Sequence, residues 1–315
     1  MRKKIALVGA GNIGGTIALL AGLKDLADIT LIDVAEGLPE GKGLDLSQVA
    51  PIMGFNARIY GTNDMAEGLQ GADAIVVTAG LARKPGMSRD DLLKTNAEII
   101  KSIAHQIRDH ASEAFVVVVT NPLDAMVWVM QQESGLPPHK VVGMAGILDS
   151  ARFRSFLAAE FNVSVLDVRA LVLGGHGDTM VPLLSHSSVG GINLEELVHT
   201  GSISAERLEE IIERTRQGGV EIVNHLKTGS AFFAPAAAAL EMVEAYLKDQ
   251  KRILPCAAYL SGEYGAEGIY VGVPVILGGE GVEEIIELAL TEEEQESLTT
   301  SIKAVQTLIE RLDTL

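Results

Sequence analysis

The feature that most constrains the fold is an alternation in the first half of the chain. Six short apolar runs, KIALVGA (4–10), ITLID (29–33), RIYGT (58–62), AIVVTAG (74–80), FVVVVTNP (115–122) and KVVGMAG (140–146), are rich in Val and Ile. They are continuous rather than alternating, as in strands of a parallel sheet covered on both faces. Segments near 13–27, 36–53, 65–70, 89–110 and 123–134 read as the helices between them. Ser88 with Asp91 offers a capping box-like start to the fourth helix, and Pro137-Pro138 closes the fifth. Six strands with helical crossovers predict an α/β protein whose N-terminal part is a Rossmann-type, doubly wound parallel sheet.

The second half reads differently. A helix over 149–162 is followed by strand-like pieces (VRALVLGG, MVPLLSHSSVG) and long helical stretches near 205–227 and 231–248. Two further strands (ILPCAAYLSG, GIYVGVPVILGG) precede a last helix from about 292, with Thr291 and Glu294 as its capping box. The expected division is a nucleotide-binding domain over 1–148 and an α+β domain over 149–315, with no low-complexity linker between them.

Composition excludes several functions. With 47% hydrophobic and 21% charged residues, the 315-residue chain has ample material for a core. A formal net charge of −17 argues against a general nucleic-acid binder and against docking on anionic lipid. MRKK followed by 19 uncharged residues has the length of a membrane span or signal peptide. Five of those 19 are glycines, four between positions 9 and 15, so a strand, a glycine turn and a buried helix account for the stretch better. The one cysteine, Cys256, allows no internal disulfide and fits a reducing compartment, so a cytoplasmic location without a membrane partner is expected.

The hexamer GAGNIG places Gly9, Gly11 and Gly14 in G-x-G-x-x-G spacing after a strand and at the start of a helix. The first glycine permits a tight turn, the second lets backbone approach a pyrophosphate, and the third allows close helix–sheet packing. Asp33 ends the next strand, where it can accept hydrogen bonds from ribose hydroxyls and repel a 2′-phosphate. Val34 and Ala35 beside it supply no arginine. NAD is therefore expected over NADP, held by the loop Gly9, Ala10, Gly11, Asn12, Ile13 and Gly14 together with Asp33.

Of seven histidines, His176 stands apart, flanked by glycines in LVLGGHGDTMVP just past an apolar strand. No metal-ligand spacing surrounds it and no G-x-S-x-G nucleophile turn exists, so a general acid/base suits it better than a metal ligand. Such a histidine calls for a carboxylate to orient it. GILDSARFR offers Asp149 and Arg152, three apart on one helical face, although read alone they are an ordinary intrahelical salt bridge. The stretch LARKPGMSRDDLLKTN (81–96) places Arg83 and Arg89 six residues apart in a chain that is otherwise strongly acidic.

GAGNIG, Asp33, RKPGMSR, VTNPLD, LDSARFR and GGHGD, in this order, resemble the lactate/malate dehydrogenase superfamily over essentially the whole chain. RKPGMSR resembles its malate dehydrogenases of lactate dehydrogenase-like type. The resemblance implies that His176 is the proton donor and acceptor, with Asp149 as its partner. It implies that Arg152 holds the substrate's C1 carboxylate, Asn121 hydrogen-bonds the substrate, and Arg89, on a mobile loop, polarises the reacting C–O bond. Asn96, Val119 and Asn121 would line the cofactor, and Ser230, in KTGSAFFAP, would match a pocket position. Lactate enzymes typically carry glutamine where this chain has Arg83, so the expected substrate is a small dicarboxylate, malate or oxaloacetate. A homo-dimer or homo-tetramer is also implied.

Three rivals remain at this point: a lactate or broader 2-hydroxyacid dehydrogenase, a silent nucleotide sensor, and an NAD-requiring glycosidase. Arg83 speaks against the first. A sensor has no need of Arg152, His176 and Asp149 together, and the glycosidase lacks metal ligands.

Overall fold

A computed structural model describes residues 2–81, 88–312 and 314. The first half contains β1 (Lys4–Val8), α1 (Asn12–Leu23), β2 (Asp28–Ile32), α2 (Leu38–Met53), β3 (Ile59–Thr62) and α3 (Met65–Leu69). It continues with β4 (Ala74–Val77), α4 (Arg89–His110), β5 (Phe115–Val118), α5 (Leu123–Ser134) and β6 (Val141–Gly143). The strands β3-β2-β1-β4-β5-β6 lie side by side in that order, all parallel. This is the doubly wound arrangement, with its switch point between β1 and β4.

The apolar runs work as two-faced strands. Ile5 and Leu7 of β1, Val76 of β4 and Val117 of β5 enter the core on one face of the sheet. Their neighbours Ala6, Val8, Val77 and Val118 enter the core on the other. All four residues of β4 are 0% exposed. Each fully buried Val or Ile contributes about 1.5–3 kcal/mol, so a polar residue anywhere in such a strand would be costly.

The second half contains α6 (Gly146–Phe161), β7 (Val168–Leu173), β8 (Val181–Val189), β9 (Ile192–Asn193), α7 (Leu194–His199), α8 (Ala205–Leu226) and α9 (Phe233–Leu247). Then come β10 (Arg252–Ser261), β11 (Glu267–Gly278), β12 (Gly281–Ile285) and α10 (Glu292–Leu312). Only β7, β8 and β9 form a separate antiparallel sheet. Strands β10, β11 and β12 extend the first sheet past β6, giving nine strands, with Ala257 of β10 opposite Gly143 of β6. A Cβ at Gly143 would lie 2.9 Å from that of Ala257, so the junction depends on small residues. A third core packs Phe153 and Leu157 of α6 against Val172 of β7, Leu194 of α7 and Ile211 of α8.

Several boundaries differ from the sequence expectation for local reasons. The strands expected over 4–10, 74–80, 115–122 and 140–146 end at residues 8, 77, 118 and 143, because the chain turns away at their carboxyl ends. Helix α5 is ended by Gly135, left-handed at φ 64°, ahead of the two prolines. Helix α6 begins at Gly146 rather than 149, which places Asp149 in its first turn. Both capping boxes form: Ser88 with Asp91, and Thr291 with Glu294. Among the described residues no helix is long and apolar enough to cross a membrane.

Candidate active site

The candidate residues follow the carboxyl ends of β1, β2, β4 and β5, and Asp124, after β5, reaches the turn that carries His176. The glycine turn follows β1. Gly9 has φ 109°, and a Cβ there would lie 2.5 Å from Thr78 Oγ1 and 2.9 Å from Ala79 N. A Cβ on Gly14 would lie 2.0 Å from the carbonyl oxygen of Gly9. The fold itself therefore demands both glycines. Gly11 differs: a Cβ there would meet nothing within 4 Å. What the missing side chain leaves at Gly11 is room for something outside the chain.

Gly11 is also the N-cap of α1, with no side-chain cap and no acidic residue in the first turn, where Asn12 and Ile13 begin the helix. Free N–H groups and the positive end of the helix dipole make this a place for an anion. Lys42 donates to the Gly11 carbonyl at 2.9 Å, adding a cation beside the turn. Asp33 follows β2 and accepts from the backbone N–H of Ala10 at 2.8 Å and of Ala35 at 3.0 Å. Its two oxygens retain further lone pairs for a ribose. These features fit a dinucleotide whose pyrophosphate lies over Gly11.

Asn96, in α4, is 0% exposed. Its Oδ1 accepts from Leu81 N–H at 2.8 Å, and its Nδ2 donates to the carbonyls of Leu81 at 3.1 Å and Asn121 at 2.7 Å. It ties the segment after β4 to the segment after β5. Val119 is buried there, and Asn121, linked to Pro122 by a cis peptide, is exposed. Arg89 is the first residue of α4. Its side chain lies outside the described residues, as does Arg83.

In the second half, the His176 Nδ1–H donates to Asp149 Oδ2 at 2.8 Å. Arg152 Nη1 donates to the other oxygen, Asp149 Oδ1, at 3.0 Å. The Asp149 side chain is 2% exposed, against 13% for His176 and 15% for Arg152. One carboxylate thus orders both neighbours, and with Nδ1 engaged the Nε2 of His176 is the nitrogen left to work on a ligand. Burial lowers the affinity of the imidazole for a proton. The charge and hydrogen bond of Asp149, and the charge of Asp124, outweigh burial and the opposing Arg152, so the His176 pKa is raised above its ordinary 6.5.

The turn carrying His176 is fastened from three sides. Gly174 exchanges backbone hydrogen bonds with Gly272 of β11 at 2.8 and 3.1 Å. Gly175 N–H donates to Ser301 Oγ of α10 at 2.8 Å, and His176 N–H donates to Asp124 Oδ2 of α5 at 2.9 Å. The Arg152 side chain lies across Gly218 and Gly219 of α8, where a Cβ would come within 3.0 Å of its Cδ and 3.7 Å of its Nη2 respectively. Asp124, Ser301 and the two adjacent glycines were not singled out from sequence. The glycine pair did carry a signal, since two glycines inside a helix cost about 1 kcal/mol each relative to alanine and call for a packing reason. Ser230 is exposed between α8 and α9, and no hydrogen bond or ion pair joins it to His176, Asp149 or Arg152.

Residues 3–143 match the lactate/malate dehydrogenase NAD binding domain, and residues 147–314 match the alpha/beta C-terminal domain of the same family. Among solved structures, the malate dehydrogenase of Cryptosporidium parvum is 48% identical over 100% of both chains, with a TM-score of 0.97. The lactate dehydrogenase of Cryptosporidium parvum, complexed with lactic acid and nicotinamide adenine dinucleotide, is also 48% identical, over 100% of this chain and 99% of that one, with a TM-score of 0.97. The malate dehydrogenase of Picrophilus torridus in its apo form is 45% identical over 100% of this chain and 98% of that one, with a TM-score of 0.95.

Proposed function

The chain belongs to the lactate/malate dehydrogenase family and is an NAD-dependent oxidoreductase by that membership, and from this premise we propose that its substrates are (S)-malate and oxaloacetate. One observation carries the choice. Arg152, ordered by Asp149 beside His176, serves one substrate carboxylate, and the sequence supplies another arginine, Arg83, for a second. Overall likeness does not separate the two substrates, since a malate and a lactate dehydrogenase resemble this chain equally.

The residues divide the work as follows. The turn Gly9–Gly14, with Asp33 and Val119, would hold the cofactor, with Asn96 acting through the backbones of Leu81 and Asn121, and bound NAD+ would supply the acceptor for the hydride that leaves C2 of malate. His176, neutral, accepts the hydroxyl proton at Nε2. Asp149 stabilises the imidazolium that results, so proton transfer does not leave an unpaired charge in a buried site. Arg152 grips the C1 carboxylate with its planar fork, Asn121 hydrogen-bonds the substrate, and Arg89 supports negative charge on the reacting oxygen. Arg83 neutralises the C4 carboxylate. With pyruvate bound, Arg83 would be desolvated without a partner. Such a loss costs about 3–5 kcal/mol, roughly a hundred- to a few-thousand-fold in relative rate.

The reading includes a homo-dimer or homo-tetramer and a reducing compartment such as the cytoplasm. Exposed apolar side chains on α2 (Leu44, Ile52, Met53) suit a subunit contact, and the single Cys256 is buried and unpaired.

The test is the initial rate of NADH oxidation with oxaloacetate and with pyruvate, repeated with NADPH. The reading expects kcat/KM for oxaloacetate to exceed that for pyruvate by about a hundredfold or more. Preference for pyruvate would overturn the substrate assignment and leave the family membership standing.

A further inference from the structure

Against the backbone of His176 sits a second acid that the mechanism above does not use. Asp124 lies in the first turn of α5 and is 4% exposed. Its Oδ2 accepts the backbone N–H of His176 at 2.9 Å, while its Oδ1 is buried with no hydrogen-bond partner among the described residues. A buried carboxylate left half-satisfied is costly, and an apolar residue of similar volume would favour the fold more. The backbone N–H of His176 and the nearby imidazole are what it addresses.

We propose that Asp124 is a positioning residue for the reaction. It fixes the main chain of the histidine turn, and its charge, acting with that of Asp149, favours the protonated imidazole. The proposal rests on the reading of His176 as the proton acceptor. Among the described residues, the charged groups that act on the His176 imidazole are Asp149 and Arg152 from α6 and Asp124 from α5. Among the described residues, α10 and β11 present uncharged groups to the turn, Ser301 and Val305 of α10 and Gly272 of β11. Burial raises the Asp124 pKa to about 6, against the opposing pull of His176, so at neutral pH most of it is a carboxylate. Ser301 provides the internal control, because it holds the adjacent Gly175 N–H without any charge.

The experiment measures kcat/KM for malate oxidation from acid to alkaline pH in the wild type, Asp124→Asn and Ser301→Ala, with NADH binding followed in each. Oxidation needs neutral His176, so activity rises with pH through the His176 pKa. Asparagine keeps an acceptor for the His176 N–H and removes the charge, so the rising limb should move to lower pH by about half a unit to one unit. Ser301→Ala should lower kcat without moving the limb. An active Asp124→Asn enzyme whose limb stays within about 0.2 unit of wild type overturns the proposal, since a loss of that size is far below a nearby charge's effect.

Should Asp124→Asn not bind NADH or fold, the wild-type His176 ring titrated by NMR carries the test. Its curve must show a second inflection, on the acid side of the main one, as Asp124 takes up its proton. A single inflection overturns the proposal. Should the wild type turn over neither oxaloacetate nor pyruvate, the catalytic reading fails, and the NMR titration still decides whether Asp124 and His176 are coupled.

Discussion

Between Gly9 and Gly14 the candidate site is made of backbone, whereas around His176 it is made of side chains drawn from α5, α6 and α10. The first region is one contiguous turn whose shape follows from steric rules: two glycines are demanded by its own neighbours, and the third, Gly11, faces open space. The second is assembled from residues 124, 149, 152, 176 and 301, and its geometry is set by hydrogen bonds between charged or polar partners. A backbone site offers fixed dipoles that do not titrate. A side-chain site offers a group that gains and loses a proton, at the cost of burying the charges that tune it. Binding the cofactor and performing the chemistry should therefore be separable by mutation.

The largest separation is expected at His176. Replacement by alanine removes the proton acceptor and leaves the glycine turn untouched. A fall in kcat of about a thousand- to ten-thousandfold should accompany an NADH affinity changed by no more than about twofold. Fluorescence titration of NADH beside steady-state kinetics checks both. Loss of NADH binding in step with turnover would show that the two regions act as one.

Next in size is Arg83→Gln. It removes the guanidinium proposed for the far carboxylate, so the ratio of kcat/KM for oxaloacetate to that for pyruvate should fall by about a hundredfold or more. The change should come through the side-chain region alone, with NADH affinity near wild type. An unchanged ratio would remove Arg83 from substrate selection. Because Arg83 lies outside the described residues, this measurement bears on a residue that only the sequence supplies.

The same contrast governs what could be read in advance. The glycine turn and β1, β2, β4 and β5 were legible because each is written in consecutive residues whose periodicity and sterics are local. The His176–Asp149–Arg152 cluster was legible only as types of residue in suggestive places, since its members lie 27 and 3 residues apart and an intrahelical pair explains two of them equally well. Asp124 was legible only as the last residue of VTNPLD, with no role attached to it. Its role depends on a backbone N–H that arrives 52 residues later. The hairpin β10–β11 reads as strand in any sequence pattern, but its place beside β6 is set by the fit of Ala257 against Gly143. Asn96 reads as a cofactor contact by resemblance, yet its buried amide is fully engaged by Leu81 and Asn121, so its effect on a ligand passes through those backbones.

The smallest effects, and the sharpest test of the backbone region, come from two glycines three residues apart. Gly14→Ala puts a Cβ 2.0 Å from the Gly9 carbonyl oxygen, which neither helix nor strand can yield without moving. It should destabilise the protein by at least about 2–3 kcal/mol, read as a lowered denaturant midpoint with an unchanged slope. Gly11→Ala puts its Cβ into open space at φ −67°, a backbone conformation any residue adopts. Stability should stay within about 0.5 kcal/mol of wild type. Only the approach of the pyrophosphate is obstructed, and NADH affinity should drop by about tenfold, or 1.4 kcal/mol. If Gly11→Ala unfolds the protein instead, the turn needs that glycine for itself and the cradle argument fails. If it changes neither stability nor NADH affinity, the pyrophosphate does not lie over Gly11.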